Sequence, residues 1–589
     1  MANLRGIKYL GACLFREFSS YPMNTSASQR TRAQESRAAI ERLYITMRHL
    51  FIRGSYKPLG VSGSAIIKDL LILNPEIYGL MADEQKVELE GLLYVIERLP
   101  KGIEECRIIT LISKEGLEES GFEAIVPPKR RRNCYRIDEE QMYIELTRGR
   151  SDIYDILTHL TFLYIESEKI KKHALDRRGN TTLSWRKLED RVLSPDTGLE
   201  EAGTEQGYVY LSTLLGRTYS ETAAACRSFS GSGQHFDLFH IAYWLGRLAI
   251  DEQLQQKDRE IFFSSALRDR VGHHVYGDQW AHTIKSFLYD KDFLNRPLHI
   301  VSANLHSVLN SLYAAQALKS RFKGKSIEEI AEVLSDPTQG DLRLKVLEFA
   351  RKNGLWEIQD TSGTNISVQI IDTARIDVEG LPPEISPDAV YIQRDMPVIL
   401  VMDYAFGEQA FETMDELLRP FQAGGSAYTL RVESISVMGK AGILQGDKGD
   451  IMVPTAHLFE GTADNYPLEN EFRRVDFEGE GLRVFEGPMV TVLGTSLQNK
   501  DILEYFLNSS WKAIGLEMEG AHYQKAIQAA GKIRGNISAA IRLHYAYYAS
   551  DNPILTGKTL ASGSLGLEGV KPTYLITLRI LKRILNPSG

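Results

Sequence analysis

Cysteine is nearly absent from this sequence: 589 residues hold four, Cys13, Cys106, Cys134 and Cys226, scattered and never in a CxxC spacing. A disulfide framework and a structural zinc knuckle are thereby excluded, and reduced thiols in a cytoplasmic setting are expected. Long apolar runs are missing too. Lys8, Arg16 and Glu17 break up the N-terminal apolar pieces before a signal-peptide core develops, and nowhere do eighteen apolar residues follow one another. A soluble, intracellular protein is the expectation. Basic excess is also lacking: a net charge of -8 and a pI near 6.0 give no global reason to expect nucleic acid or an anionic membrane. The one basic run, Lys129-Arg130-Arg131-Arg132 after Pro127-Pro128, reads as a solvated loop. Internal repeats and low-complexity arrays are absent, which argues against a solenoid.

What is present is an ordinary globular composition on a chain too long for one core, so two or more domains are expected. Residues 19–36 are polar and read as a surface segment. From Ala38 the residues Ile40, Leu43, Tyr44, Met47, Leu50 and Phe51 recur at helical spacing, and Val87 to Ile96 repeat the pattern within 83–99. Arg107–Ser113 reads as a buried strand. Periodic segments near 152–172, 208–227, 236–254, 260–289 and 298–321 then suggest a helical bundle. Nine of the thirteen histidines lie between His159 and His306, some four residues from Asp155 or Asp278. A bundle can build a di-metal site from such groups, but no Glu-x-x-His pair recurs here, so buried hydrogen-bonded histidines and no metal site are the expectation.

Ser326-Ile-Glu-Glu329 has capping-box spacing, Asp341 can cap the next helix, and Asn353-Gly354 closes it. After Thr361 strand-like and helical runs alternate: Ile366–Ile371, Val398–Met402, Glu412–Leu418, Val432–Val437, Asp450–Pro454, Met489–Val492, Lys500–Leu507, Ala513–Leu516, Gly520–Ala530 and Ile537–Ala549. The fold class expected is α/β. Residues 1–340 form a mainly helical domain of unassigned role, 341–360 a connecting helix, and 361–589 a three-layer α/β/α domain around a mixed sheet.

The chemistry concentrates in that last domain. Gly515-Leu516-Glu517-Met518-Glu519-Gly520-Ala521 carries a carboxylate pair around a methionine, and Tyr548-Ala549-Ser550-Asp551-Asn552-Pro553 ends an apolar run in Ser-Asp. Upstream, Val437-Met438-Gly439-Lys440-Ala441-Gly442 is a glycine-containing turn after a β-rich run, followed by Gly446-Asp447 and the apolar Ile451-Met452-Val453-Pro454-Thr455. Pro397–Met402 with Ala405-Phe406-Gly407-Glu408 supplies a strand and turn before it. In this order the elements resemble the purine nucleoside phosphorylase and nucleosidase superfamily, over about Thr361 to Gly589.

The resemblance implies site roles. Asp551 would protonate the leaving purine, with Ser550 and Asn552 arranging its loop; Glu519 would accept hydrogen bonds from the ribose hydroxyls, Met518 would pack on the sugar and Glu517 would lie beside them. N-ribosidic cleavage passes through a cation-like sugar, so it needs an acid at the base and electron-rich groups at the ribose. Gly439, Lys440 and Gly442 would face the nucleophile side. Phosphorylases place an Arg just before a Ser in that turn, whereas Val437 and Lys440 stand here, so Lys440 is free to meet a nucleotide 5′-phosphate, as in AMP nucleosidase, whose loop Ser550–Lys558 also resembles. Methylthioadenosine nucleosidases activate water with a Glu in the first strand-to-helix turn. Asp372 is the nearest candidate, with Arg375 as an anion contact and Asp403 and Glu408 as alternatives; His457, Arg473, Arg474 and Arg542 are further phosphate candidates. The implied activity is N-ribosyl hydrolysis of a purine nucleoside or nucleotide, without a cofactor, in a homo-oligomer. A phosphate-dependent phosphorylase and a non-catalytic purine sensor or scaffold are the alternatives.

Overall fold

The computed structural model describes residues 31–130, 132–194, 201–232, 236–556 and 565–587; the motif stretch 557–558 and most of 19–36 lie outside them. Six short strands of the N-terminal half, β1 (Ser55–Tyr56), β2 (Ile108–Ile112), β3 (Ala124–Ile125), β4 (Cys134–Arg136), β5 (Gln141–Glu145) and β6 (Glu260–Phe263), form one sheet in the order β1-β6-β2-β5-β4-β3. The strand expected at 107–113 is thus β2. Helix Gly149–Ala174 runs through the centre of this half and is buried on nearly every face over its first five turns, its polar residues Asp152, Asp155 and Thr158 included. The segment expected as one helix over 260–289 opens with β6 and then forms Ser265–Gly272 and Val275–Asp290. That over 208–227 breaks at Gly216, in the left-handed region at φ +63°, before the Thr218–Glu221 capping box restarts it.

The second sheet holds β7 (Leu298–Ser302), β8 (Leu355–Ile358), β9 (Val368–Asp372), β10 (Val398–Met402), β13 (Val432–Ile443), β14 (Ile451–Phe459), β15 (Asn465–Pro467), β16 (Val484–Thr491), β17 (Gly515–Glu517) and β18 (Arg542–Asp551); β11 (Phe421–Ala423) and β12 (Ser426–Tyr428) make a separate ribbon. Its order is β15-β14-β16-β17-β13-β7-β10-β9-β8, with β18 against β13 and β14. Strands β10, β7 and β13 are mutually parallel, while β9 runs antiparallel to β10. Both faces are covered, which is why β10 reads as an unbroken apolar run. Val398, Leu400 and Met402 share one core with Trp280, Ile284 and Met414, and Ile399 and Val401 share the other with Leu312, Val346 and Ile580. The architecture is the expected α/β/α sandwich with a mixed sheet.

Its boundary is not where the sequence pattern puts it. Strand β7, at the middle of the sheet, and helices Val275–Asp290 and Leu305–Ala317 all come from residues numbered below 340. Only Ala303 and Asn304 separate the five buried residues of β7 from the following helix, so strand and helix merge into one apolar stretch. The two halves also share a core. Leu43, Leu157 and Leu215 belong to the same cluster as Leu497, Phe506 and Met518. Asn499 Nδ2 donates to the Leu73 carbonyl at 2.8 Å, and Thr158 Oγ1 lies 3.0 Å from Ser496 Oγ.

The histidines disperse. His159 is fully buried, with Nδ1 2.9 Å from Tyr78 Oη, and His299 in β7 meets Ser434 Oγ at 2.7 Å. Among the described residues one carboxylate–imidazole triple, Glu104, Glu105 and His240, has ligand-like spacing, and the Arg136 guanidinium already sits 2.6 Å from Glu105. No helix of the described residues is long and apolar enough to cross a membrane.

Candidate functional site

A cavity of about 430 Å³ opens at the C-terminal ends of β7 and β10, where Ser302, Tyr404 and the Val437–Lys440 segment of β13 meet the end of β17. Parallel strands deliver loop residues to one edge of a sheet, and a sheet edge where neighbouring connections part is where α/β folds hold ligands. Glu517, Met518 and Glu519 form one wall, and Tyr404, Tyr523, Tyr547 and Tyr548 supply much of the rest.

Glu517 ends β17 and is buried, held by the Thr491 hydroxyl and by the backbone N–H groups of Glu519 (2.5 Å) and Gly520. Burial outweighs these donors and pushes its pKa up to about 7. Glu519 caps the next helix, Gly520–Gln528, and takes a hydrogen bond from the Gly407 N–H at 2.9 Å. Burial, then the neighbouring Glu517 charge, raise it to about 8. Among the described residues neither carboxyl has an ion-pair partner, and both oxygens of Glu517 already accept hydrogen bonds from the protein.

Gly407 is there for a steric reason. Its φ is +55°, and a Cβ would come within 2.5 Å of Ser151 Oγ. Met518 is buried, its methyl 3.6 Å from the same hypothetical Cβ. Gly520 lies so close to His457 that a Cβ would reach within 2.4 Å of the ring's Nε2. His457 is fully buried, 3.4 Å from Tyr547 Oη, and burial drives its pKa down to about 3, so it is a neutral packing and hydrogen-bonding group and not a phosphate ligand.

The structure therefore brings together Glu517, Met518, Glu519, Gly439 and Lys440 among the residues expected from sequence. Ser550 and Asp551 stand just past that lining. They follow Tyr548 on β18, both are buried, and Ser550 Oγ lies 3.1 Å from the Ala441 carbonyl and 2.5 Å from Asp551 Oδ1. Gly442 pairs with Asp551 and Leu516 at the bulge where β13 changes neighbours. Asp372 and Arg375 do not belong to this site. Because β9 is antiparallel, Asp372 pairs with Val398 at the start of β10, about 13 Å of strand away from the cavity end. There it binds Arg296, and Arg375 lies over the Trp356 ring. Glu408 is half-buried, with its carboxylate 3.6 Å from Arg150 and outside the cavity lining. Arg474 and Arg542 are paired with Glu478 and Glu471 at 2.6 and 3.0 Å, and Arg473 donates to the Asn470 carbonyl.

Sequence reasoning missed the wall contributed by the N-terminal half: Arg98, Lys129 and Arg130 line the same cavity, as does Thr495. Arg130 and Arg132 of the basic run are drawn against the central helix and are not solvated loop residues. Arg130 pairs with Asp155 at 3.2 Å, and buried Arg132 with Asp152 at 2.9 Å. The available signal was in the central helix, where Asp152 and Asp155 flank the apolar Ile153 and Ile156 and, once buried with them, require cations.

No curated protein sequence matches the chain. Among solved structures, a futalosine hydrolase mutant of Helicobacter pylori strain 26695 is 13% identical over 49% of this chain and 98% of its own, with a TM-score of 0.28. The Campylobacter jejuni 5'-methylthioadenosine/S-adenosyl homocysteine nucleosidase is 9% identical over 49% and 99%, at 0.29. Toxoplasma gondii purine nucleoside phosphorylase in complex with immucillin-H is 16% identical over 50% and 94%, at 0.28. A family model matches most of the chain, over residues 65–323 and 330–586. The protein belongs to that family, described as "Family of unknown function (DUF6909)".

Proposed function

We propose that the protein is an N-ribosyl hydrolase that cleaves the glycosidic bond of a purine nucleoside or nucleotide. The observation that carries this reading is the Glu517-Met518-Glu519 wall facing tyrosine rings in one cavity. Glu519 accepts hydrogen bonds from the ribose hydroxyls while Gly407 fixes its other oxygen. In its ionised form, which gains ground as pH rises toward and above about 8, its charge lies beside the sugar as positive character develops there. Met518 packs on the apolar face of the ribose, and Tyr547 and Tyr548 offer flat surface to the base. Asp551, three residues beyond Tyr548 at the end of β18, donates the proton to the leaving purine; motif order supports that role, and the cavity geometry supports the Glu519 role.

The test is direct. Incubate the full chain with AMP, adenosine, inosine and methylthioadenosine, with and without phosphate, and follow free base by chromatography. Release without phosphate is the expected result. Strict phosphate dependence would replace hydrolysis by phosphorolysis, and a ligand-induced rise in Tm without any release would replace it by sensing.

A further inference from the structure

One wall of the cavity carries cations that the ribosidase reading leaves unused. Arg98 is 6% exposed, stacks 3.3 Å above the Tyr94 ring centroid and donates through Nη1 to the Tyr94 carbonyl at 2.9 Å. Its Nε is buried without a hydrogen-bond partner, and among the described residues the guanidinium has no carboxylate within ion-pair distance. An isolated buried guanidinium is costly unless an anion completes it. Two further cations stand beside it. The Lys129 N–H donates to the Glu97 carbonyl at 2.9 Å, which ties the basic loop to the turn bearing Arg98. The Lys129 ammonium is 4.0 Å from Glu97, at the limit of contact, and Arg130 is steadied by Asp155.

Lys440 lines the cavity from β13, is exposed and has no ion pair among the described residues. The cavity thus offers its ligand Arg98 and Lys440, which have no ion pair among the described residues, together with Lys129 and Arg130, which lie near Glu97 and Asp155, against the two carboxyl groups Glu517 and Glu519. Arg98 and Lys440 are therefore the cations of this cavity left for an anion, although the chain as a whole is acidic.

We infer that Arg98, with Lys129 and Arg130, forms a phosphate-binding subsite supplied by the N-terminal half to the cavity at the Glu519 wall. The inference rests on the ribosidase reading for the ligand to which the phosphate belongs. A planar, always charged guanidinium lining the cavity suits a phosphoryl oxygen, and the lysine adds a mobile second charge. The phosphate has two chemical sources, the 5′-phosphate of a nucleotide or free inorganic phosphate.

Titration calorimetry on the full chain separates them, using AMP, adenosine and inorganic phosphate against the native protein, Arg98→Met, Arg98→Lys and Lys129→Ala. Methionine keeps apolar contact with the Tyr94 ring, and lysine restores the charge. The expected result is that AMP binds more tightly than adenosine, and that Arg98→Met weakens AMP about 10- to 100-fold while adenosine changes less than about threefold. Arg98→Lys should recover part of the loss and Lys129→Ala should show a smaller one. Arg98-dependent binding of inorganic phosphate, with adenosine cleaved only in its presence, would also support the subsite and assign it to free phosphate. Equal weakening of AMP and adenosine by Arg98→Met, or no AMP preference in the native protein, overturns the inference. Arg98-dependent AMP preference without release of base from any riboside would keep the subsite and reject the ribosidase. Release of base with no such preference would do the reverse.

Discussion

Replacing Glu519 by glutamine should make the protein more stable above neutral pH. Glutamine keeps an oxygen to accept the Gly407 N–H and removes a carboxyl group that burial and Glu517 hold at about 8. Because the folded state binds that proton more tightly than the unfolded chain, its contribution is fully present below the unfolded value near 4.5 and is lost as pH rises through about 8. Carrying a carboxyl from 4.5 to about 8 corresponds to at most about 5 kcal/mol at higher pH. Glu519 is half-buried, so water entering the cavity reduces this to about 2 kcal/mol. Urea titrations at pH 5.5, 7 and 8.5 should show Glu519→Gln within about 1 kcal/mol of the native protein at the lowest pH and about 2 kcal/mol more stable at the highest. The pH slope should shrink without vanishing, since Glu517 titrates in the same window at about 7. An equal loss of stability at all three pH values would refute the reasoning, because the carboxylate would then be a net structural partner. Ribose recognition should fail in the same variant, so stability and activity should move in opposite directions.

Asp551→Asn should abolish base release and leave the far-UV circular dichroism unchanged; retained turnover would remove Asp551 from the mechanism. Gly407→Ala should destabilise by about 1–3 kcal/mol in urea, from the left-handed φ and the approach to Ser151, and should lower activity by shifting the N–H that holds Glu519. Asn499→Ala removes the 2.8 Å bond to the Leu73 carbonyl and the cap on Ile502, at a cost of about 2 kcal/mol. Calorimetry of that variant should still show one transition, because one core joins both halves, and two separated transitions would contradict this.

Local chemistry was readable in the sequence wherever neighbours along the chain decide the structure. The Ser326–Glu329 capping box is present at its helix, Asn353-Gly354 ends the next one, and the strand–helix alternation after 361 survives with shifted ends. The next helix starts at Gly340, so Asp341 lies in its first turn and does not cap it; Gln339 holds the N-cap position without a side-chain cap bond. What could not be read was pairing. The direction of β9 decides that Asp372 points away from the cavity, and direction is set by partners tens of residues distant. Strand β7 was hidden in a helix-like run, since five buried residues carry no periodicity that separates strand from helix. The Glu517–Glu519 motif was legible through its residue types, but its opposite wall was not, because Arg98 and Lys129 meet it only after two halves pack together.

That packing has a consequence during synthesis. The apolar face that Leu43, Leu157 and Leu215 present is complete once the first half has left the ribosome, whereas Leu497, Phe506 and Met518, which cover it, come hundreds of residues later. Over that interval the nascent chain carries an uncovered sticky surface, the condition under which a growing polypeptide aggregates or recruits a chaperone. Synonymous changes that slow translation between Val271 and Leu444 should therefore lower soluble yield more than the same delay placed before Arg32 or after Met518.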